Sequence, residues 1–315
     1  MDGHNLSTHR VALIVNPASG GGQAGGLSAA VAERLRAGAS VQVHAGSSAA
    51  QSAELAAAAV AEGCDALVVL GGDGIVHLAL QSLALGSTPL GIVPAGSGND
   101  VADVLGLPSD PLRAADAVLA ALDARSVRRV DLGRTDTGRW WATVLCAGFD
   151  SAVSERAERM RWPRGRRRYD VAIAAELLRL APRQFRVELD DVVLDVAGTL
   201  VAVGNAPQYG GGKRMTPDGR MDDGVFAVTV VGPVSRLTLA RLAPTMPRAG
   251  HIGHPAVTTY TARTVGLDAP ATLAYADGER IGPLPVRTTC VAGALPVLVP
   301  PGTIGRAFST PTLEV

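Results

Sequence analysis

The chain has 315 residues, 47% of them apolar and 3% aromatic, and its formal net charge is +0. This length predicts about two domains with sizeable cores. The balanced charge and scarce aromatic side chains argue against a nucleic-acid-binding protein, which needs a basic surface or stacking platforms. Three widely spaced cysteines without a Cys-x-x-Cys motif indicate reduced, structural thiols, as in a cytosolic protein.

The sequence shows no leader-like apolar segment in its first ten residues and no run of about 18 apolar residues. We therefore expect a cytoplasmic protein, peripheral to the inner face of the membrane where it meets one. An exposed strand edge would allow two copies to pair as a homodimer.

Three apolar segments in the first 105 residues each end in a small-residue loop that precedes a predicted helix. They cover residues 11–15, 65–70 and 90–93 and are typical of buried parallel strands. A further strand at 41–44 and helices at 27–35, 49–61, 76–85 and 112–122, with one beginning at 101–105, complete an α/β pattern. Because carboxyl ends of parallel strands meet at one sheet edge, we expect the loops to converge.

The three loops share the chemistry of phosphate binding. They are Asn16-Pro17-Ala18-Ser19-Gly20, Gly71-Gly72-Asp73-Gly74 and Pro94-Ala95-Gly96-Ser97-Gly98-Asn99-Asp100. Glycines allow a close backbone approach, helix N-termini favour anions, and the carboxylates could hold a metal ion. Neither a Walker motif nor a dinucleotide fingerprint is present. The loops therefore predict a site for a nucleotide polyphosphate with Mg²⁺.

From about residue 128 the sequence changes to short alternating segments separated by turn signals, which predicts an all-β domain. The segments cover 130–133, 140–145, 186–189, 192–196, 199–203, 225–231, 271–275 and 286–290. A helical insertion interrupts them at 151–180. A last apolar strand at 295–299 could join either domain.

The insertion carries Arg161-Trp162-Pro163-Arg164-Gly165-Arg166-Arg167-Arg168-Tyr169. Five arginines beside two aromatic residues could lie on anionic lipid headgroups. The alternative is a solvated loop with charges at helix ends.

Together, the three loops resemble the diacylglycerol kinase catalytic family, in the branch of soluble bacterial lipid kinases related to sphingosine and ceramide kinases. The resemblance extends over about residues 10–302. It includes Gly204-Asn205, Gly210-Gly211-Gly212, Pro217, Asp222-Asp223-Gly224 and Asp277-Gly278-Glu279.

The resemblance implies a two-domain lipid kinase with an α/β ATP-binding domain and a C-terminal β-sandwich for the lipid substrate. The expected domains are 1–128, with about 295–315 returning, and 129–294. ATP would contact Asn16, Pro17, Ala18, Ser19, Gly20, Gly71, Gly72, Asp73, Gly74, Ile75, Val76, His77 and Ser97. The resemblance also makes Glu279 the catalytic base, and Asp73 would act with Mg²⁺ through water.

Two further groups of residues follow from the same resemblance. Asp100 and Asp131 match acids of the family's interdomain network. A second, structural Mg²⁺ would bind Asp223 with the backbone carbonyls of Arg220 and Val225. The acceptor would be a lipid at the membrane surface, most favourably diacylglycerol, which would give phosphatidic acid for phospholipid synthesis.

The chain departs from the family pattern at two positions. Ile75 stands where the family usually has Thr, so a side-chain hydroxyl contact is lost while a backbone contact survives. Residues 45–48 replace a Thr-rich loop with Ala-Gly-Ser-Ser.

Two other functions remain open from the residues. A nicotinamide-dinucleotide kinase shares Gly-Gly-Asp-Gly, although the Asn-Pro-x-Ser-Gly loop and Asp-Gly-Glu favour a lipid kinase. A catalytically weak nucleotide-binding regulator is the other alternative, suggested by Ile75.

Overall fold

The computed structural model describes residues 9–16, 22–163 and 166–303, which form two compact units. The first contains the described residues up to Val130 and those from Ala294 onward. The second contains Asp131–Gly293.

The first unit is built on four parallel strands connected by helices. The strands are β1 (His9–Val15), β2 (Ala39–Ala45), β3 (Ala66–Gly71) and β4 (Leu90–Pro94). Their spatial order is β2-β1-β3-β4. The helices are α1 (Gln23–Arg36), α2 (Ala49–Ala61), α3 (Asp73–Leu83), α4 (Asp100–Val104) and α5 (Pro111–Asp123).

Local sequence explains where two of these helices begin. The Ser48 hydroxyl accepts a hydrogen bond from Gln51 N–H ahead of α2, and the Asp110 carboxylate accepts one from Arg113 N–H ahead of α5. Such side-chain caps satisfy amide groups that have no partner inside the helix. Every residue of β3 and β4 is buried, which is why these strands are continuously apolar rather than alternating.

The second unit is an antiparallel β-sandwich, as the alternating segments predicted. Its strands are β5 (Val127–Thr135, which begins in the first unit), β6 (Trp140–Trp141), β7 (Val144–Gly148), β8 (Arg183–Leu189), β9 (Val192–Gly198), β10 (Leu200–Gly204), β11 (Phe226–Val231), β12 (Val257–Ala262), β13 (Thr264–Asp268), β14 (Leu273–Ala276) and β15 (Glu279–Pro283).

One sheet of the sandwich has the order β12-β11-β10-β7-β14-β15, and β13, β8 and β9 lie in the other. Val201 and Val228 from the first sheet share a core with Phe185 and Val265 from the second. Mutual burial of the two inner faces holds such a sandwich together.

The strand β16 (Val286–Leu298) contributes residues to both units. Its beginning pairs antiparallel with β13 in the second unit. Its end belongs to the first unit, where Val297 pairs in parallel with Leu90 of β4 and Val299 accepts a hydrogen bond from the Ser126 hydroxyl at 2.7 Å.

The second unit contains helical segments at two places in its sequence. The predicted insertion consists of α6 (Phe149–Arg159) and α7 (Arg166–Leu178). A second helical segment, absent from the sequence prediction, contains α8 (Arg236–Leu242) and a 3₁₀ helix at Ala243–Arg248. Within the described ranges, every helix is too short or too polar to cross a bilayer.

Candidate nucleotide and acceptor sites

The end of β1 and the loops after β3 and β4 lie side by side in the first unit. Asn16 N–H donates to the Leu70 carbonyl at 3.2 Å, and Ala95 N–H donates to the Gly71 carbonyl at 2.8 Å. The predicted ATP-binding residues Pro17, Ala18, Ser19 and Gly20 lie outside the described residues. The loops after β3 and β4 therefore form the part of the predicted phosphate site that can be described.

Gly72 and Gly96 bring these two loops into backbone contact. A Cβ atom on Gly96 would lie 2.4 Å from Gly72 Cα, and this distance is too short for any side chain to fit. Asn99, at a left-handed φ of 59°, closes the second loop. Its amide oxygen accepts from Gly96 N–H at 2.9 Å and its amide nitrogen donates to the Gly96 carbonyl at 3.0 Å.

Two predicted acidic residues lie at the starts of neighbouring helices. Asp73 is the first residue of α3, and its Oδ1 accepts a hydrogen bond from Val101 N–H at 3.1 Å. This bond attaches Asp73 to the first turn of α4, which begins with the buried Asp100. Asp73 is half-buried.

The side chains of Ile75, Val76 and His77 are buried in the first unit. Ile75 and Val76 also donate their N–H groups to the Gly72 carbonyl, at 3.2 and 3.4 Å. Ile75 is thus a core residue, which explains how the chain accommodates an apolar side chain there. Gly72, Asp73 and Gly74 are half-buried, and Ser97 is exposed, so these residues are the more accessible members of the predicted set.

A cleft of about 500 Å³ opens beside the loop after β4. Leu27, Pro94, Ala95 and Pro111 give it apolar walls, and Gly26, Gly96, Asn99 and Ser109 also line it. Apolar walls with a few polar groups suit a nucleoside. The sequence prediction missed Gly26, Leu27, Ser109 and Pro111. The Ser-Asp-Pro helix start at 109–111 is the signal that could have pointed there.

Asp131 is the centre of a buried hydrogen-bond network in the second unit. Its two carboxylate oxygens accept from Gly224 N–H and Gly293 N–H, both at 2.7 Å. Burial raises the pKa of Asp131, against the effect of these two hydrogen bonds. The buried Asn205 donates to the Asp131 carbonyl at 2.8 Å and to the Ala142 carbonyl at 2.7 Å. Asn205 thus has a structural role.

Asp223, the predicted ligand of a structural Mg²⁺, lies in the loop before β11. Its Oδ1 accepts from Val225 N–H at 3.2 Å. Partial desolvation raises the pKa of Asp223, and the negative charges of Asp131 and Asp222 raise it further. The described residues contain no group of three or more His, Cys, Asp or Glu side chains arranged for a metal. The predicted donors are one carboxylate and the carbonyls of Arg220 and Val225.

Glu279 begins β15 immediately after the two-residue turn Asp277-Gly278 of the β14–β15 hairpin. Both turn residues have positive φ, 54° and 83°, which is typical of a tight hairpin turn. The Asp277 carboxylate accepts from Ala142 N–H at 2.8 Å and from the N–H and hydroxyl of Thr143, both at 2.7 Å. The turn is therefore anchored, while the Glu279 side chain remains exposed.

Two acidic residues of α6 also contact tyrosines and were not predicted. Asp150 accepts a hydrogen bond from the Tyr209 hydroxyl, and Glu158 accepts one from Tyr275 at 2.9 Å. Burial, followed by the Glu158 hydrogen bond, raises the pKa of Tyr275. The position of Asp150 two residues after the buried strand β7 was the available signal.

Comparison with protein families covers nearly the whole described chain. Residues 10–135 match the diacylglycerol kinase catalytic domain, and residues 143–299 match the YegS C-terminal NAD kinase beta sandwich-like domain. A diacylglycerol kinase of Mycobacterium tuberculosis is 44% identical over 234 residues, which span 72% of this chain and 74% of that protein.

Two more distant proteins are also similar to this chain, one in sequence and one in structure. A probable lipid kinase YegS-like of Stenotrophomonas maltophilia is 26% identical over 70% of this chain and 72% of its own. A crystal structure of a diacylglycerol kinase from Bacillus anthracis, 19% identical, superposes with a TM-score of 0.72 over 95% of this chain and 99% of that chain. The parallel unit with its two glycine loops in contact, the β-sandwich unit and the 44% identity all fit one family, and the chain belongs to the diacylglycerol kinase family of lipid kinases.

Proposed function

We propose that this protein transfers the γ-phosphoryl group of ATP, with Mg²⁺, to a lipid hydroxyl, and that the acceptor is diacylglycerol. The observation that carries the proposal is the attachment of Asp73 to the start of α4, beside a nucleoside-sized cleft. Similarity to relatives named diacylglycerol kinase favours this acceptor over other lipid alcohols. The product would be phosphatidic acid, a precursor in phospholipid synthesis.

The first unit supplies the nucleotide site in this proposal. The apolar walls formed by Leu27, Pro94 and Pro111 suit the base, while Gly72 and Gly96 have no side chain that would keep phosphates away from the backbone of their loops. The N-terminus of α3 favours their negative charge. Phosphoryl transfer depends mainly on such positioning and charge stabilisation.

Mg²⁺ suits the donors present at both predicted positions. It prefers oxygen ligands, and Asp73 and Asp223 both offer carboxylate oxygens. When bound, it would neutralise charge that develops on the phosphates. At Asp223, a cation would also relieve the repulsion from Asp131 and Asp222 that raises the pKa of this carboxyl.

The second unit supplies the base in this proposal. Glu279 is exposed at the hairpin, where its carboxylate could accept the proton of the acceptor hydroxyl. The hydroxyl oxygen forms a bond to the γ-phosphorus, the bond between that phosphorus and the β–γ bridging oxygen breaks, and ADP leaves. Asp277 holds the turn that presents Glu279.

The direct test is incubation of the purified protein with labelled ATP and Mg²⁺ and one acceptor at a time. Acceptors would be diacylglycerol, a sphingoid base, ceramide and nicotinamide dinucleotide. We expect labelled phosphatidic acid. Labelled dinucleotide as the main product would replace the proposal with a dinucleotide kinase. Tight ATP binding without transfer to any acceptor would leave the nucleotide-binding regulator.

A further inference from the structure

The β14–β15 hairpin, which carries the proposed base Glu279, has an irregular pairing close to its tip. Tyr275 pairs with Arg280, but Ala274 pairs with Gly282, so β15 has one residue more than β14 at this point. Such a bulge bends the strand and changes the direction of the residues beyond it. β15 is also the last strand of its sheet, with a neighbour on one side. The strand pairing alone therefore leaves the direction of the hairpin tip loosely fixed.

Two charged side chains from elsewhere in the second unit hold the residue pair next to Glu279. On β14, the hydroxyl of the buried Tyr275 donates to the Glu158 carboxylate of α6 at 2.9 Å. On β15, Arg139 Nη1 donates to the Arg280 carbonyl at 3.0 Å. Because Tyr275 and Arg280 are direct cross-strand partners, this one pair is held on both of its strands.

Both of these side chains extend from elements with a fixed position in the second unit. Arg139 N–H donates to the Thr135 hydroxyl at 3.0 Å, and the Arg139 carbonyl accepts from Thr135 N–H at 2.9 Å. Glu158 belongs to α6, which packs on β14. Glu158 and Arg139 are exposed, so neither side chain is needed to fill the core. Their contacts with the hairpin therefore call for an explanation other than core packing.

We propose that Glu158 and Arg139 are positioning residues, which hold the bulged hairpin so that it presents Glu279 to the acceptor hydroxyl. Glu279 lies between two fixed points, the turn anchored by Asp277 on one side and the doubly held strand pair on the other. A base takes a proton efficiently only in the right geometry, and a small displacement lowers the rate. The inference deepens the proposed lipid-kinase function and rests on it.

The test removes each contact and then restores it with a conservative variant. Tyr275→Phe keeps the ring and loses the hydroxyl, and Arg139→Leu loses the donor. We expect each to lower kcat with diacylglycerol about tenfold, at an unchanged KM for ATP and an unchanged melting temperature. Arg139→Lys keeps a donor, and Glu158→Gln keeps an acceptor for the tyrosine hydroxyl. Both should retain most of the wild-type kcat.

Combination with Glu279→Gln separates positioning from a structural role. Either change should then lower kcat by less than about twofold more, because a residue that acts through the base has nothing left to position. Tyr260→Phe and Arg186→Leu are the matched controls and should leave kcat unchanged. Tyr260 lies on β12, at the other edge of the same sheet, and Arg186 pairs with Glu188 and Asp195 on β8 and β9.

Hydrogen exchange at residues 273–283 tests the hold on the hairpin without any substrate. Tyr275→Phe and Arg139→Leu should speed exchange there about tenfold and leave the β8–β9 hairpin unchanged. Unchanged exchange in both variants would overturn the inference. In an active enzyme, an unchanged kcat or fully additive losses with Glu279→Gln would also overturn it. A wild type that phosphorylates no lipid, with faster hairpin exchange in the variants, would remove the proposed function and leave the hold by Glu158 and Arg139 standing.

Discussion

Asp73 is the residue on which the nucleotide chemistry depends most in the proposed function. Asp73→Asn keeps an oxygen that can accept the Val101 N–H bond, so the junction between α3 and α4 should persist. The substitution removes the negative charge that would act with Mg²⁺ near the phosphates. We expect phosphoryl transfer to fall about 100-fold or more, with an unchanged melting temperature. Asp123→Asn, an exposed site at the end of α5, is the control.

A substitution of Glu279, the proposed base, should separate catalysis from nucleotide binding. Glu279→Gln keeps the shape of the side chain but cannot take a proton, so turnover should fall about 10²–10⁴-fold. ATP affinity should change little, since the predicted phosphate loops belong to the first unit. Calorimetric ATP binding and lipid phosphorylation would be measured on one preparation. A large loss of ATP affinity would reassign Glu279 to the nucleotide or its metal.

Asp277 acts in this scheme as a positioning residue for Glu279. Asp277→Asn turns one accepting oxygen into an amide that faces an N–H donor at Ala142 or Thr143. The turn should loosen and kcat should fall about 10- to 100-fold, while KM for ATP stays constant. The double variant with Glu279→Gln should lose little more than Glu279→Gln alone, because both changes act on one proton transfer. Fully additive losses would contradict this role.

The raised pKa of Asp223 gives a stability signature for the predicted metal site. In its folded position this carboxyl holds its proton more tightly than in the unfolded chain. Without Mg²⁺, the free energy of unfolding should therefore decrease as pH rises from about 3.8 through the raised pKa. Asp223→Asn should make that decrease smaller, leaving the part that comes from the raised pKa of Asp131, and Asp218→Asn in the same loop should leave the decrease unchanged.

Added Mg²⁺ should then stabilise the wild type at neutral pH and leave Asp223→Asn unaffected. Chemical denaturation across pH, with and without Mg²⁺, measures both effects. Equal stabilisation of wild type and variant by Mg²⁺ would place the ion elsewhere.

At the scale of elements, the contact between the loops after β3 and β4 shapes the predicted phosphate site. Gly96→Ala would place a methyl group 2.4 Å from Gly72 Cα, so one loop must move. We expect ATP affinity to fall at least about tenfold and the protein to lose about 1–3 kcal/mol of stability. Gly253→Ala is the control, because its Cβ would meet nothing within 4 Å. Unchanged ATP binding in Gly96→Ala would argue against phosphates bound at these two loops.

Helices and strands with a clear hydrophobic pattern, or with a capping residue at the start of the helix, were predictable from the sequence. Helix α2 occupies the predicted 49–61, and the strands β3 and β4 differ by one residue from their predicted ends. The helical segment at 236–248 was missed because Pro244 and Pro247 interrupt its period. The threonine-rich strand β12 was missed because it lacks apolar alternation.

The candidate site was predictable only where its residues stand together in sequence. The glycine loops can be recognised as sequence motifs, and β3 and β4 pair as neighbouring parallel strands. The anchoring of Asp277 could not be predicted, since its partners Ala142 and Thr143 lie more than 130 residues earlier in the chain. The lining of the cleft by Leu27 and Pro111 likewise depends on packing between separate helices.

At the scale of the whole molecule, the first unit is discontinuous in sequence. Leu295, Val297, Leu298 and Val299 are buried, and Val297 pairs with β4. Truncation after Gly293 should therefore expose β4 and a strip of the first core. We expect a lower melting temperature and aggregation relative to the full chain. Truncation after Thr303, which keeps the whole of β16, is the matched control. A monomeric, fully folded protein ending at Gly293 would contradict this expectation.

The same strand sets the order of events during synthesis. The ribosome makes β4 about 200 residues before the end of β16, which at about 5–20 residues per second is a delay on the order of 10 to 40 s. Throughout that delay the nascent sheet presents an open hydrogen-bonding edge at Leu90–Pro94. The first unit of the kinase can thus complete its sheet only after the β-sandwich has been synthesised. Chaperones that shield sheet edges should therefore matter most for this protein while it is still attached to the ribosome.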